Sequence, residues 1–102
     1  SGSVASAEVE QGILDGVLLE AIDKRIRKSL GIPDEVDGVL ISDVLAESPH
    51  ADLMARGMVI LEVNGAAVTT PEAFEAQLQV GINRLYIWHN EMNHFIVLKI
   101  QE

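Results

Sequence analysis

The passage from Val59 to Gln77 constrains the fold more tightly than any other. Val59, Ile60, Leu61 and Val63 are strand formers interrupted only by Glu62, and the run stops at Asn64-Gly65. Both turn residues tolerate positive φ at little steric cost, so the dipeptide predicts a tight reversal, with the chain returning through Ala66, Ala67 and Val68. Thr70, Pro71 and Glu72 then supply an N-cap, a first helical position and an acid against the positive helix end. They predict a helix over 71–80 with Gly81 as its C-cap. A buried strand, a tight turn and a capped helix therefore follow one another directly.

The remaining segments extend this unit. Residues 12–22, "GILDGVLLEAI", contain a strand or a loop entering one. Ile22, Ile26 and Leu30 recur at spacing four, one apolar stripe on a short helix that Gly31 and Pro33 stop. A strand follows over 37–45, entered through Gly38. Ser48-Pro49 reads as cap and first position of another short helix, ended by Gly57. The strands "NRLYIWH" and "HFIVLKI" form a hairpin across the four residues "NEMN". The expected architecture is a mainly antiparallel, curled sheet with two or three short helices. Residues 1–10 are small and polar and read as a flexible lead-in, partly of cloning origin, with a single domain over 11–102.

At 102 residues the chain can bury one core, and with 48% apolar but only 4% aromatic residues that core is aliphatic. A net charge of −9 argues against nucleic-acid backbones and anionic membranes as partners. No apolar run approaches the roughly 20 residues of a membrane span, so membrane insertion is not expected. There are no cysteines, hence no disulfide framework, thiolate nucleophile or cysteine-based zinc site. Lys24, Arg25, Arg27 and Lys28 hold four of the seven basic residues and read as the solvated face of a helix.

Catalytic signals are weak. No Gly-x-Ser-x-Gly elbow, phosphate loop, dinucleotide fingerprint or His-Glu-x-x-His motif occurs, and sixteen acids make a carboxylate pair uninformative. His89 and His94 flank one hairpin loop with Glu91 between them, but two imidazoles and one flexible carboxylate lack the spacing of a zinc site. No catalytic residue, metal or other cofactor is expected. Binding is the remaining class: an extended peptide can join an open strand edge and lodge its side chains against a neighbouring helix. Leu14, Asp15, Gly16 and Val17 form a glycine loop ahead of a strand that contains Leu19, a type of loop whose N–H groups can receive a carboxylate. Phe74, Gln77 and Leu78 share one face of the later helix at spacings of three and four. Leu14, Val17, Leu19, Phe74 and Leu78 also fit an ordinary core.

The series from Asp37 to Leu78 resembles a PDZ domain of the bacterial HtrA (Do/Deg) serine proteases. Gly38-Val39-Leu40-Ile41, Ser48-Pro49-His50-Ala51, Gly57, Val59 to Gly65 and Phe74 carry the likeness. "LDGVLLEAIDKRIRKSLGIP" resembles the family's opening and "HFIVLKI" its last strand, so the match spans residues 14–100. The resemblance implies a partly open barrel of five or six strands capped by two helices, in the circularly permuted bacterial topology. It implies a non-catalytic module that binds apolar or C-terminal peptide segments, including unfolded-protein segments, and contacts other domains or subunits of its parent. The protease triad lies in a separate domain of such proteins, at the periplasm or cell envelope, in the service of protein quality control. Three departures stand out: Met58 replaces the usual aspartate, Arg56-Gly57 lacks a nearby proline, and Asp15 brings a charge into the loop. That charge costs a bound carboxylate about 1 kcal/mol when solvated. An acid before the loop glycine is more similar to the second, C-terminal PDZ domain of two-domain members. The alternatives are an assembly domain with a closed groove, or a PDZ domain of another envelope protease or a secretion component.

Overall fold

The structure is a computed structural model and describes residues 14–101; the lead-in read over 1–10 lies outside the described residues. Eight elements follow in order: β1 (Val17–Ala21), α1 (Lys24–Leu30), β2 (Val39–Val44), β3 (Val59–Val63), β4 (Ala66–Ala67), α2 (Pro71–Gln77), β5 (Gly81–His89) and β6 (Met92–Ile100). The strands form one antiparallel sheet in the order β1-β2-β3-β5-β6, with β4 attached to β3. Among the described residues β1 and β6 are its unjoined edges, so the sheet curls without closing. The mainly β, partly open, two-helix architecture expected from the sequence is the one observed.

The middle of the sheet is covered on both faces. The main core joins Leu14, Val17, Val39, Ile41, Ile60, Val63, Phe74, Leu85, Ile87 and Leu98. A second cluster of Ile32, Val36, Leu40 and Val59 lies on the opposite face, with Ile22, Ile26 and Trp88 packed against it. Val39, Leu40 and Ile41 of β2 and Val59 and Ile60 of β3 are accordingly all buried, which is why these strands are written as continuous apolar runs. By contrast β5 and β6 alternate, burying Asn83, Leu85 and Ile87 and then Ile96 and Leu98. The chain enters β2 through Gly38, where a Cβ would sit 2.2 Å from the carbonyl oxygen of Ile60, so a side chain there would collide with backbone. Opposite the step from Leu18 to Leu19, β2 carries one extra residue, Ser42, and the β1–β2 ladder shifts register.

Local chemistry sets the helix starts, at Thr70-Pro71 as the sequence predicts and at Asp23, which the sequence reading did not single out. The Asp23 carboxylate accepts from Ile26 N–H at 2.7 Å to open α1, and Gly31 closes it in the left-handed conformation. Thr70 caps α2 by accepting from Ala73 N–H at 3.0 Å, with Pro71 in the first turn. Arg27 serves the scaffold: its guanidinium donates to Pro33 O and Val36 O, both at 2.6 Å, and lies 3.7 Å from Asp37.

Three sequence expectations change. No helix follows Ser48-Pro49. The segment is a chain of turns with a single i→i+4 bond, Met54 N–H to His50 O at 2.9 Å. Ser48 Oγ makes a cap-like contact, accepting from His50 N–H at 3.1 Å, and donates to Asp15 O at 2.6 Å, but the chain does not continue as a helix and Met54 turns into the main core. α2 stops at Gln77, and Gly81, at φ +98°, opens β5 instead of capping the helix. The β5–β6 loop holds two residues rather than four: His89 pairs with Met92, and Asn90 and Glu91 turn the chain at φ +53° and +66°.

Candidate functional site

The candidate site is the strip between the outer edge of β1 and the adjacent helix α2, with the 14–16 loop at its head. Each part has its own anchor. The loop is tied down through its carbonyls. Leu14 O accepts from Val17 N–H at 3.1 Å, Asp15 O from Ser48 Oγ–H at 2.6 Å, and Gly16 O from Leu45 N–H at 2.8 Å. Gly16 sits at φ +76°, and a Cβ on it would lie 2.6 Å from Ser48 Cβ. With the carbonyls engaged inside the fold, the N–H groups of Asp15 and Gly16 have no acceptor among the described residues. Two successive unengaged N–H groups beside a left-handed glycine are the elements of an anion-accepting nest.

The helix is fixed at its C-terminal end by two asparagines. Asn64 Nδ2 donates to Gln77 O at 3.1 Å and to Asn83 Oδ1 at 3.0 Å, while Asn64 Oδ1 accepts from Arg84 N–H at 2.9 Å. Asn83 is fully buried; its Oδ1 accepts from Gln79 N–H at 2.9 Å and its Nδ2 donates to Gln79 O at 2.8 Å. The β3–β4 turn, through Asn64, therefore holds the end of α2 as well as reversing the chain. This pair does the work expected of a C-cap at Gly81.

The residues singled out in the sequence divide by depth. Leu14, Val17 and Phe74 are 1%, 1% and 0% exposed, so their side chains fill the core beneath the strip. Leu19 and Leu78 are half-buried at the core margin, as is Ala73, and each retains surface. Asp15 and Gln77 are exposed, whereas Gly16 is buried against Ser48. Asn83 and Ala73 escaped the sequence reading, and Ser48 and Asn64 were read there only as local cap and turn residues, not as anchors of the loop and helix. Asn83 had a signal, since it is a polar residue in the core-facing phase of an alternating strand. Leu14 and Asp15 also border a cavity of about 660 Å³ shared with His50, Leu53 and the end of β6. His89 and His94 lie in the hairpin at positions paired with Met92 and Ile87. No group of three or more potential metal ligands occurs among the described residues. No described helix is long and apolar enough to cross a membrane.

No family model matches the sequence, and no curated protein matches it either. Solved structures do. The HtrA-type protease AlgW with a decapeptide superposes at a TM-score of 0.68 and 19% identity, over 84% of this chain and 28% of the protease chain. Its S227A form with a decapeptide gives 0.65 and 19%, over 93% and 31%. The HtrA3 PDZ domain bound to the phage-derived ligand FGRWV gives 0.68 and 22%, over 82% of this chain and 81% of that one. The chain has the fold of an HtrA-type PDZ domain and spans less than a third of the AlgW protease chain.

Proposed function

We propose that this chain is the non-catalytic peptide-binding and regulatory module of an HtrA-type serine protease, taking apolar or C-terminal peptide segments by strand addition to β1. One observation carries the reading: β1 is an edge strand with α2 beside it and, at its head, a loop whose Asp15 and Gly16 N–H groups lack acceptors among the described residues. Main-chain bonds to the edge supply affinity, and Leu19, Ala73 and Leu78 supply apolar contact. Leu14, Val17 and Phe74 act from below by holding strand and helix at a fixed separation. The peptide ligands of AlgW and of the HtrA3 PDZ domain support this mode of binding. Placement in the periplasm or cell envelope, a role in quality control, and a position as second PDZ domain belong to the same proposal.

A second reading, assembly, is favoured by the outer face of the β5–β6 hairpin. Ile82, Phe95 and Val97 are 56%, 60% and 57% exposed there, Tyr86 and Phe95 stack at 4.8 Å, and Arg84 lies over the Phe95 ring. Titrating the ¹⁵N-labelled domain with short apolar peptides, as free acids and as amides, separates the readings. Tail recognition gives shifts at 14–19 and 73–78 that amidation removes and Gly16→Ala weakens. Equal shifts for acid and amide mean that internal segments add as strands. Silence at millimolar peptide rejects the module and leaves assembly.

A further inference from the structure

α1 leaves one turn of its apolar stripe unfinished. Ile26 joins the second core cluster, but Leu30, one turn further, is 54% exposed. Between them and the outer face of β2 lies a cavity of about 490 Å³ walled by Ile26, Leu30 and Leu40, a size ordinary for a ligand site. It opens on the α1 side of the sheet, and of β1 it is bordered only by Glu20, so it is separate from the Leu14–Leu19 and Ala73–Leu78 surface described above. Its rim carries Arg25 from α1 and Arg56 from the turn before β3.

These two guanidiniums differ from their neighbour Arg27, which is consumed by the scaffold. Both are exposed, and neither has a carboxylate partner within 4.0 Å among the described residues. The chain carries sixteen acids against seven Lys and Arg, so two unpaired cations beside one apolar cavity are a local inversion of its field. Glu20 also lines the cavity and leaves the rim net positive. Screening over roughly 8 Å at physiological ionic strength makes the charges nearest the cavity weigh most on what approaches it.

We propose that this cavity is a second peptide site, which takes an acidic extended segment: one aliphatic side chain enters between Ile26, Leu30 and Leu40, and flanking carboxylates pair with Arg25 and Arg56. Arginine suits this role because its planar fork meets a carboxylate through two parallel bonds. Ser29 and Ser42 add hydroxyls at the wall. The site stands independently of the groove reading, and its occupant is distinguished by charge rather than by a free C-terminus.

The test uses the ¹⁵N-labelled domain and two peptides, Asp-Asp-Leu-Asp-Asp and Lys-Lys-Leu-Lys-Lys, each acetylated and amidated so that no terminal carboxylate is present. The acidic peptide is expected to shift Arg25, Ile26, Leu30, Leu40, Arg56 and Gly57, with affinity falling as salt rises from 50 to 300 mM. Arg25→Glu with Arg56→Glu is expected to weaken binding on the order of tenfold or more, with the remaining spectrum preserved because both side chains are exposed. Leu30→Ser should weaken binding while keeping the salt dependence. Absence of shifts at the cavity, equal shifts from the basic peptide, or unchanged affinity in the double reversal would each overturn the proposal. Shifts confined to 14–19 and 73–78 would do so as well, by returning the acidic peptide to the β1–α2 strip.

Discussion

Asn64-Gly65 and Asn90-Glu91 close two-residue hairpins with the same handedness, both central residues at positive φ in each, yet they belong to the molecule in different ways. The first is knitted into the fold: Asn64 reaches Gln77, Asn83 and Arg84 and so links the sheet to the end of α2. The second stands exposed, with no side-chain hydrogen bond from either turn residue to the described chain, and it places a glutamate where glycine is usual. Similar backbone geometry thus anchors a helix in one place and only reverses direction in the other. A turn's importance follows from what its side chains hold, not from its dihedral angles.

The strongest way to break this contrast is at Asn83. Asn83→Ala would strand Gln79 N–H, Gln79 O and Asn64 Nδ2, and should destabilise the domain by about 3 kcal/mol. Denaturant titration would measure that loss, seen in calorimetry as a drop in Tm on the order of 15 °C. Hydrogen exchange at the Gln79 amide should accelerate most, and unchanged protection there would show that the buried pair does not hold α2. Asn64→Gly comes next. Glycine keeps the positive φ and removes only the side chain, so the expected cost of about 1–2 kcal/mol isolates the network from the turn. At the other hairpin Glu91→Gly should stabilise by about 1 kcal/mol, because an L-residue in the left-handed region is strained. Asn90→Gly should change stability by less than about 0.5 kcal/mol. Matching losses at Asn64 and Asn90 would abolish the distinction.

What the sequence makes legible is what local chemistry decides. Thr70-Pro71, Gly31 and Asn64-Gly65 each act within a few residues, and each stands where the sequence places it. Asn90-Glu91 was read as a longer loop because no glycine announces the turn. Its length is set by the pairing of Trp88 with Asn93 and Ile87 with His94, a matter of register across two strands. Ser48 illustrates a different limit. A Ser-Pro pair is a fair helix start, and Ser48 does accept from His50 N–H, but the chain then turns to bury Met54, and the hydroxyl also ties down Asp15 far off in sequence. In the candidate site the sequence names a loop and a helix that the fold places beside β1, without saying which part of each residue faces outward. Leu14, Val17 and Phe74 prove to be core side chains, while Leu19, Ala73 and Leu78 stand at the core margin.

The extra residue at Ser42 gives the open edge of β1 a further property. An exposed strand is a template for any other chain, including a second copy of itself, and a flat, long edge invites stacking without limit. Here the edge is five residues long and is backed by a bulged partner, and its exposed Glu20 would face its own image in a self-paired ladder. Local twist then spoils the match beyond a few residues. The open edge proposed to take a peptide is thereby a poor seed for aggregation of the domain.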